Sequence, residues 1–282
     1  MSIIPGALYV VATPIGNLQD ISLRALDVLR NVDLILAEDT RHSARLLGHF
    51  GINTAVGSFH DHSDRKRTAD LIHRLQGGAA LALITDAGTP LISDPGYPLV
   101  NTALAQGIRV IPIPGPSALI SALSVAGLPT EKFVFEGFLP AKKTPRLRHL
   151  QELALEDRTQ VFYEAPHRIC RLLEDLIRCY GPQRPATLAK ELTKIYENIR
   201  KDTLDNLYRW LQEDDARQKG EFVLIVAGKI ASVPENSELE RVLRVLLRTM
   251  SASEAVAVAA EILQEPRNKL YKLAVKLGGG ES

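Results

Sequence analysis

Short, unbroken apolar runs alternate with amphipathic stretches through the first part of the chain. Leu8–Ala12, Val32–Ala37, Ala55–Phe59, Ala79–Ile84 and Arg109–Ile113 read as strands. Between them Ser22–Arg30, Arg41–Phe50, Asp64–Gln76 and Tyr97–Gln106 carry helical periodicity. Continuously apolar strands separated by helices predict a parallel-rich α/β sheet covered on both faces. The run ends at Pro112-Ile113-Pro114-Gly115-Pro116, which continues neither a strand nor a helix and marks a hinge or linker.

Beyond a small-residue helix at Ser117–Ala126 the spacing loosens. Phe133–Glu136, Thr159–Glu164, Ala186–Ala189 and Phe222–Ala227 read as strands, with helices at Lys143–Leu155, Pro166–Tyr180 and Leu204–Arg217. This predicts a second α/β unit with longer connections and mixed strand direction. From Glu235 only helical signals remain, at Glu238–Arg248, Ser253–Leu263 and Arg267–Leu277, with a capping box at Ser251 and Glu254. The expected division is an N-terminal α/β domain (1–114), a second α/β domain (115–230) and a helical C-terminal extension (231–282).

Composition narrows the function classes. The 282 residues are 45% hydrophobic and 24% charged, as expected of a globular chain and not of a disordered or disulfide-scaffold one. The apolar run Ala79–Ile84 is far short of the ~20 residues a spanning helix needs, and no secretory leader is visible, so a cytoplasmic location is expected. Cys170 and Cys179 lie on one expected helix, separated by a rise of roughly 13 Å, and read as core thiols with no zinc site. Net charge is +1 overall and −1, +1 and +1 over residues 1–114, 115–228 and 229–282. No segment is basic, which counts against a nucleic-acid partner held by bulk charge.

Loops at the carboxyl ends of strands carry the candidate chemistry, because open α/β sheets bind ligands there. Thr13-Pro14-Ile15-Gly16-Asn17-Leu18 forms a tight turn that is neither GxGxxG nor a Walker loop. Glu38-Asp39-Thr40-Arg41 reads equally as a proton acceptor with a guanidinium, or as an N-cap beside a Glu38–Arg41 pair. His60-Asp61-His62 suits substrate contact or proton handling; no further ligand cluster follows to complete a metal site. The strongest element is Asp86-Ala87-Gly88-Thr89-Pro90-Leu91-Ile92-Ser93-Asp94-Pro95-Gly96, twelve structured loop residues with Thr85, too long for a mere connector. Pro114–Ala118, Glu136–Pro140, Phe162–Arg168, Ala189–Lys194 and Lys219–Glu221 supply facing pieces from the second half.

In this order TPIGNL, EDTR, DAGTPLISDPG, PGPSA, EGFLP, FYEAPHR and ELTK resemble the signature series of the ribosomal small-subunit RNA methyltransferase I family, within the tetrapyrrole-methylase superfamily. The resemblance runs from about residue 5 to 228. Thr85 stands where Ser is common, and Lys201 where Gly often follows Arg. It implies a two-lobed fold with a cleft between the lobes, a homodimer, and S-adenosylmethionine as cofactor. It implies 2′-O-methylation of a cytidine ribose in the decoding region of 16S small-subunit rRNA. The near-neutral charge, not the resemblance, points to the assembled 30S subunit over naked RNA as substrate. The implied cofactor loops bring in Thr13, Pro14, Gly16, Asp86, Ala87, Gly88, Thr89, Ser117, Ala118, Glu136, Leu192 and Gly220.

Methyl transfer to a ribose hydroxyl calls for alignment and for a base near that hydroxyl. Asp39 and His60 are the favoured candidates, with Glu38 beside them and His62, Asp86 and Glu191 behind. Arg41, His62, Lys142, Lys143, Arg146, Lys190 and Lys194 are candidates for holding RNA, with Arg148 in the same basic cluster. That cluster reads equally as a solvated helix face. Two other functions fit parts of the pattern: a tetrapyrrole-precursor C-methyltransferase, and a non-catalytic RNA-binding module that keeps the cofactor pocket.

Overall fold

Five strands, β1 (Leu8–Val11), β2 (Leu34–Ala37), β3 (Val56–Ser58), β4 (Leu81–Leu83) and β5 (Val110–Ile113), form a parallel sheet in the order β3-β2-β4-β1-β5. Their unbroken apolar character follows from burial on both faces. Successive residues point to opposite sides. Tyr9, Val11 and Ile35 pack on one face with Ala25, Val28 and Leu29 of α1 (Leu23–Asn31). Leu8, Leu34 and Leu81 pack on the other with Leu71 and Leu75 of α3 (Arg65–Gln76) and Leu99 of α4 (Tyr97–Ala105). α2 (Thr40–His49) follows β2. The structure is a computed structural model that describes residues 3–59, 65–229 and 236–278.

The second sheet is mixed. β6 (Phe133–Phe138), β7 (Thr159–Glu164), β8 (Pro185–Lys190), β9 (Asn198–Thr203) and β10 (Phe222–Val226) stand in the order β6-β7-β10-β8-β9. Only the β6–β7 pair is parallel. One face carries α6 (Lys143–Leu153), α7 (Ile169–Tyr180) and α8 (Leu204–Gln212) over Phe162, Leu188 and Leu224. The opposite face packs Val161, Val223 and Ile225 against Leu119, Ala122 and Leu123 of α5 (Ala118–Val125), with Ile15 from the first lobe.

Three local expectations change. β9, with sequence NIRKDT, carries no apolar alternation because it is an edge strand paired only to β8. The helix expected at Leu204–Arg217 stops at Gln212, and a 3-10 turn follows at Asp215–Gln218. Asp214 starts that turn by accepting from the Ala216 N–H at 2.8 Å, a local bond that competes with helix continuation. Pro166 precedes α7 rather than opening it, since Ala165–Arg168 close a turn through the Arg168 N–H to Ala165 carbonyl bond of 3.0 Å.

Residues up to Gly228 form one compact unit and those from Lys229 a second. The second holds α9 (Asn236–Leu246), α10 (Ala252–Leu263) and α11 (Arg267–Gly278) around Leu239, Leu243, Val256 and Leu270. The Ser251–Glu254 capping box forms in both directions. Cys170 and Cys179 are free and half-buried on α7. Among the described residues no helix is long and apolar enough to cross a membrane.

Candidate functional site

The strand-end loops of the first lobe are tied to each other. The Thr13 N–H donates to the Gly88 carbonyl at 2.9 Å, and the Gly88 N–H returns a bond to the Thr13 carbonyl at 3.0 Å. Thr13 Oγ1 donates to the Thr85 carbonyl, and Thr89 Oγ1 to the Pro116 carbonyl, each at 3.1 Å. These bonds join the turns after β1, β4 and β5 into one floor. Leu91 and Ser93 on that floor adopt left-handed φ of 71° and 66°, a strained conformation for residues with side chains.

The second lobe meets this floor at two points. Glu136 is the extra residue of a bulge in β6, and Gly137 after it has φ 59°. A Cβ on Gly137 would lie 2.9 Å from Ser93 Oγ. At the other point Gly16 abuts the turn after β8, where Glu191 and Thr193 are also left-handed. Lys194 Nζ bridges Glu191 Oε1 at 3.0 Å and Glu221 Oε2 at 2.9 Å, and Glu191 Oε1 also accepts from the Glu221 N–H. Burial alone raises the Glu191 carboxyl, but the Glu221 N–H and Lys194 together hold it below the ordinary value. Burial likewise pulls the Lys194 ammonium down, and the two carboxylates outweigh it, leaving it raised.

Between the two contacts lies a cleft of about 310 Å³. Ala87–Thr89 form one wall, Ser117 and Ala118 the start of α5, and Tyr163–Pro166, Leu192 and Val223 the opposite side. Ser117 makes no side-chain capping bond, so N–H groups at the start of α5 lie beside the cleft without intrahelical partners. The Leu119 N–H is taken by the Tyr163 hydroxyl at 3.0 Å. Burial raises the Tyr163 phenol, whose ring packs edge-on against Phe135 and Phe138. Glu164 has 1% of its side chain exposed. Its Oε1 accepts from the Ala165 N–H at 2.9 Å and pairs with Arg168 Nε at 3.1 Å, while Oε2 is buried with no hydrogen-bond partner among the described residues. Burial raises the Glu164 carboxyl, and the Ala165 N–H and Arg168 only partly oppose it.

S-adenosylmethionine fits what is present. Its adenine ring is flat with faces that stack on apolar side chains, its amino group and ribose hydroxyls are donors, and its methionyl end carries a carboxylate. Leu192, Ala189 and Val223 offer an apolar wall, Glu164 Oε2 an acceptor lacking a donor, and the start of α5 a position for an anion.

Of the sequence-derived candidates, Ala87, Gly88, Thr89, Ser117, Ala118 and Leu192 line this cleft. Thr13 is fully buried beneath it as part of the floor. Pro14 and Gly16 stand in the adjoining turn, with Gly16 against Lys194. Gly220 has φ 94°, and a Cβ there would meet Glu191 Cγ at 2.5 Å, so it makes room for the bridged carboxylate. Glu136 lies elsewhere, in a surface recess, accepting from His149 Nε2 at 2.8 Å. Asp86 Oδ1 accepts from the Asp39 N–H at 3.2 Å, drawing the loops after β2 and β4 together.

Asp39 caps α2: its Oδ1 accepts from the N–H groups of Arg41 and His42, which hold its carboxyl below the ordinary value. Glu38 Oε2 accepts from Thr85 Oγ1 at 2.9 Å. Arg41 occupies the first turn of α2. His60 and His62 lie outside the described residues. Among the described residues no group of three or more His, Cys, Asp or Glu is arranged to hold a metal.

The basic candidates divide. Lys142 and Lys143 are exposed at the start of α6. Arg146, expected on the same solvated face, is instead buried at 6% exposure. It is bound to Asp175 through Nε and Nη2 at 2.8 Å and to the Pro140 and Ala141 carbonyls through Nη1. A fully engaged guanidinium in the core is a structural tie, not a phosphate contact. Lys190 Nζ donates to the Ala216 carbonyl at 2.8 Å, and Lys194 is held by its two carboxylates. Tyr163 and Glu164 lie in the Phe162–Arg168 loop that the sequence marks as a facing piece, without a role of their own there; Val223 carries no such signal, being one apolar residue of a buried strand.

The family profile of the tetrapyrrole (corrin/porphyrin) methylases matches residues 7–208, and that of the RsmI C-terminal HTH domain matches residues 233–278. The chain is 53% identical over 277 residues to the ribosomal RNA small subunit methyltransferase I of Pseudomonas aeruginosa, covering 97% of this chain and 98% of that one. The protein of the same name from Escherichia coli O157:H7 is 49% identical over 275 residues, covering 97% and 96%. Among solved structures, cobalt precorrin-4 methyltransferase superposes with TM-score 0.59 at 17% identity, over 79% of this chain and 95% of that one. Thermus thermophilus uroporphyrin-III C-methyltransferase, solved with S-adenosyl homocysteine, gives 0.55 at 17% identity over 78% and 97%. At these identities the structural neighbours speak to the fold alone.

Proposed function

The chain belongs to the ribosomal RNA small subunit methyltransferase I family, and from that membership we propose that it transfers a methyl group from S-adenosylmethionine to the ribose 2′-hydroxyl of a cytidine in the decoding region of small-subunit rRNA. The observation that carries the reading is the cleft between the two lobes, walled by the strand-end loops that contain the family's motifs. Our reading includes a homodimer acting on the assembled subunit in the cytoplasm.

When bound, the cofactor supplies an electrophilic methyl group on a sulfonium. The chain's own work is alignment. The Thr13–Gly88 bridge and the Thr89–Pro116 bond tie the floor together, and a fixed floor would hold the cofactor for alignment with the acceptor hydroxyl. Leu192 and Val223 line the cleft and would exclude water from a group bound against them. The attacking hydroxyl is a weak nucleophile until its proton is accepted. Glu38 is the better candidate for that role than Asp39, because the Asp39 carboxylate is engaged as a helix cap and weakened as a base. Our reading assigns no RNA contact to Arg146.

The test is transfer of labelled methyl groups to purified small ribosomal subunits, with a porphyrinoid precursor as the competing acceptor. Transfer to the subunits alone is expected. Transfer to the porphyrinoid alone makes the chain a C-methyltransferase, and cofactor binding without transfer to either makes it a binding module.

A further inference from the structure

The net charge of only +1 over the C-terminal segment conceals a segregation. Of the seven acids of this unit, six precede α11 and Glu281 follows it, whereas α11 itself carries Arg267, Lys269, Lys272 and Lys276 and no acid. Lys269 pairs with Glu265 at 3.0 Å. Arg267, Lys272 and Lys276 have no hydrogen-bond or ion-pair partner among the described residues and are exposed. Leu270 and Ala274 turn inward to the three-helix core, so Lys272 and Lys276, spaced four and eight residues from Asn268, share the outward side with it. Tyr271 at 54% and Val275 at 56% are exposed on the adjoining strip of the helix, beside Asn268. A groove of about 450 Å³ runs along it, lined by Asn268, Lys269, Lys272 and Lys276 with Pro266 and Leu273.

We propose that this outward face of α11 is a docking surface for the phosphate backbone of rRNA, a proposal that rests on the functional reading above. Lys272 and Lys276 are one helical turn apart, about 6 Å along the axis, and present a row of unpaired positive charge to a polyanion. Ammonium groups meet phosphates, the Asn268 amide offers both donor and acceptor, and the exposed Tyr271 ring offers a surface on which an unstacked base rests. Unpaired cations with an exposed aromatic and an amide match RNA better than an acidic peptide, which offers no ring to stack. The surface answers the objection raised by composition: the RNA is held by local charge that the segment total cancels.

The test uses the full chain with Lys272→Glu and Lys276→Glu together, and a control with Lys132→Glu and Arg178→Glu on the first unit. Binding to purified small subunits is measured against salt, cofactor binding is followed by titration with S-adenosylhomocysteine, and methyl transfer is assayed in parallel. The expected result is a loss of subunit affinity of about tenfold or more and a salt slope shallower by about 1.4–1.8 for two lost phosphate contacts. Cofactor affinity and melting temperature stay at wild-type values, and the control binds subunits normally. Wild-type affinity and slope in the α11 variant overturn the proposal, as does an equal loss in the control. Retained subunit binding, together with loss of binding to polyglutamate, assigns the face to an acidic protein and also overturns it. If the wild-type chain transfers no methyl group to small subunits, the functional reading fails and this proposal fails with it. Normal transfer by both chains with unchanged affinity removes this proposal alone.

Discussion

Gly16 in the first lobe and Lys194 in the second approach so closely that a Cβ on Gly16 would stand 2.5 Å from the lysine Cγ and 2.9 Å from Thr193 Oγ1. Lys194 cannot simply swing away, because its ammonium is bound by Glu191 and Glu221. Gly16→Ala therefore pushes the two loops apart at the edge of the cleft. We expect a cost of about 1–3 kcal/mol, as for other overpacked contacts, read by denaturant unfolding. S-adenosylhomocysteine titration should weaken in parallel. Unchanged stability and affinity would show that the bridge yields without consequence.

The same bridge sets a pH window. Glu191 is held below the ordinary value, so its contribution is present above its unfolded pKa of about 4.3 and is lost as pH falls through the lower folded value. Lys194 is raised, so its contribution is complete below about 10.4 and disappears as pH rises through the higher folded value. The stability difference between wild type and Lys194→Met should be flat from about pH 5 to 10 and shrink on both sides. Melting curves across that range check it; a difference that does not vary down to acid denaturation contradicts the bridge.

Glu164→Gln keeps the shape and leaves an acceptor for the Ala165 N–H, but puts an amide donor where Oε2 lacks one. If a cofactor hydroxyl or amino group fills that position, S-adenosylhomocysteine affinity falls by about 1–3 kcal/mol, read by calorimetry. Melting temperature should change little. Unaltered affinity would separate this carboxylate from cofactor binding.

Capping and catalysis separate at Asp39 and Glu38. Asn caps helices as well as Asp does, so Asp39→Asn should keep α2 and leave single-turnover methyl transfer close to wild type. Glu38→Gln should lower the single-turnover rate by about 10²–10⁴ if it accepts the ribose proton. A large loss in Asp39→Asn with an inert Glu38→Gln reverses the assignment.

Arg146→Ala strands Asp175 in the core and should destabilise the chain by about 3–5 kcal/mol. Arg146→Met with Asp175→Leu removes both charges and should cost much less. Denaturant unfolding of both variants decides between a buried tie and a surface cation.

Much was legible in the residues alone. Runs such as LYVVA and VDLILA declare strands buried on both faces, because each must be apolar on both sides. The Ser251–Glu254 capping box is local, spans three residues, and forms as read. The order of the motif loops was enough to identify the family. Where long-range pairing decides the outcome, the residues were mute. β9 is polar because it has one neighbour, a fact about its position in the sheet. Arg146 looks like its exposed neighbours Lys142 and Lys143 until Asp175, twenty-nine residues away, draws it inside. Likewise the spare oxygen of Glu164, the capped Asp39 and the one-sided charge of α11 follow from where each backbone turns and what it then faces. Periodicity and composition report which side chains favour water. Only the tertiary structure decides which of the remaining polar groups find a partner.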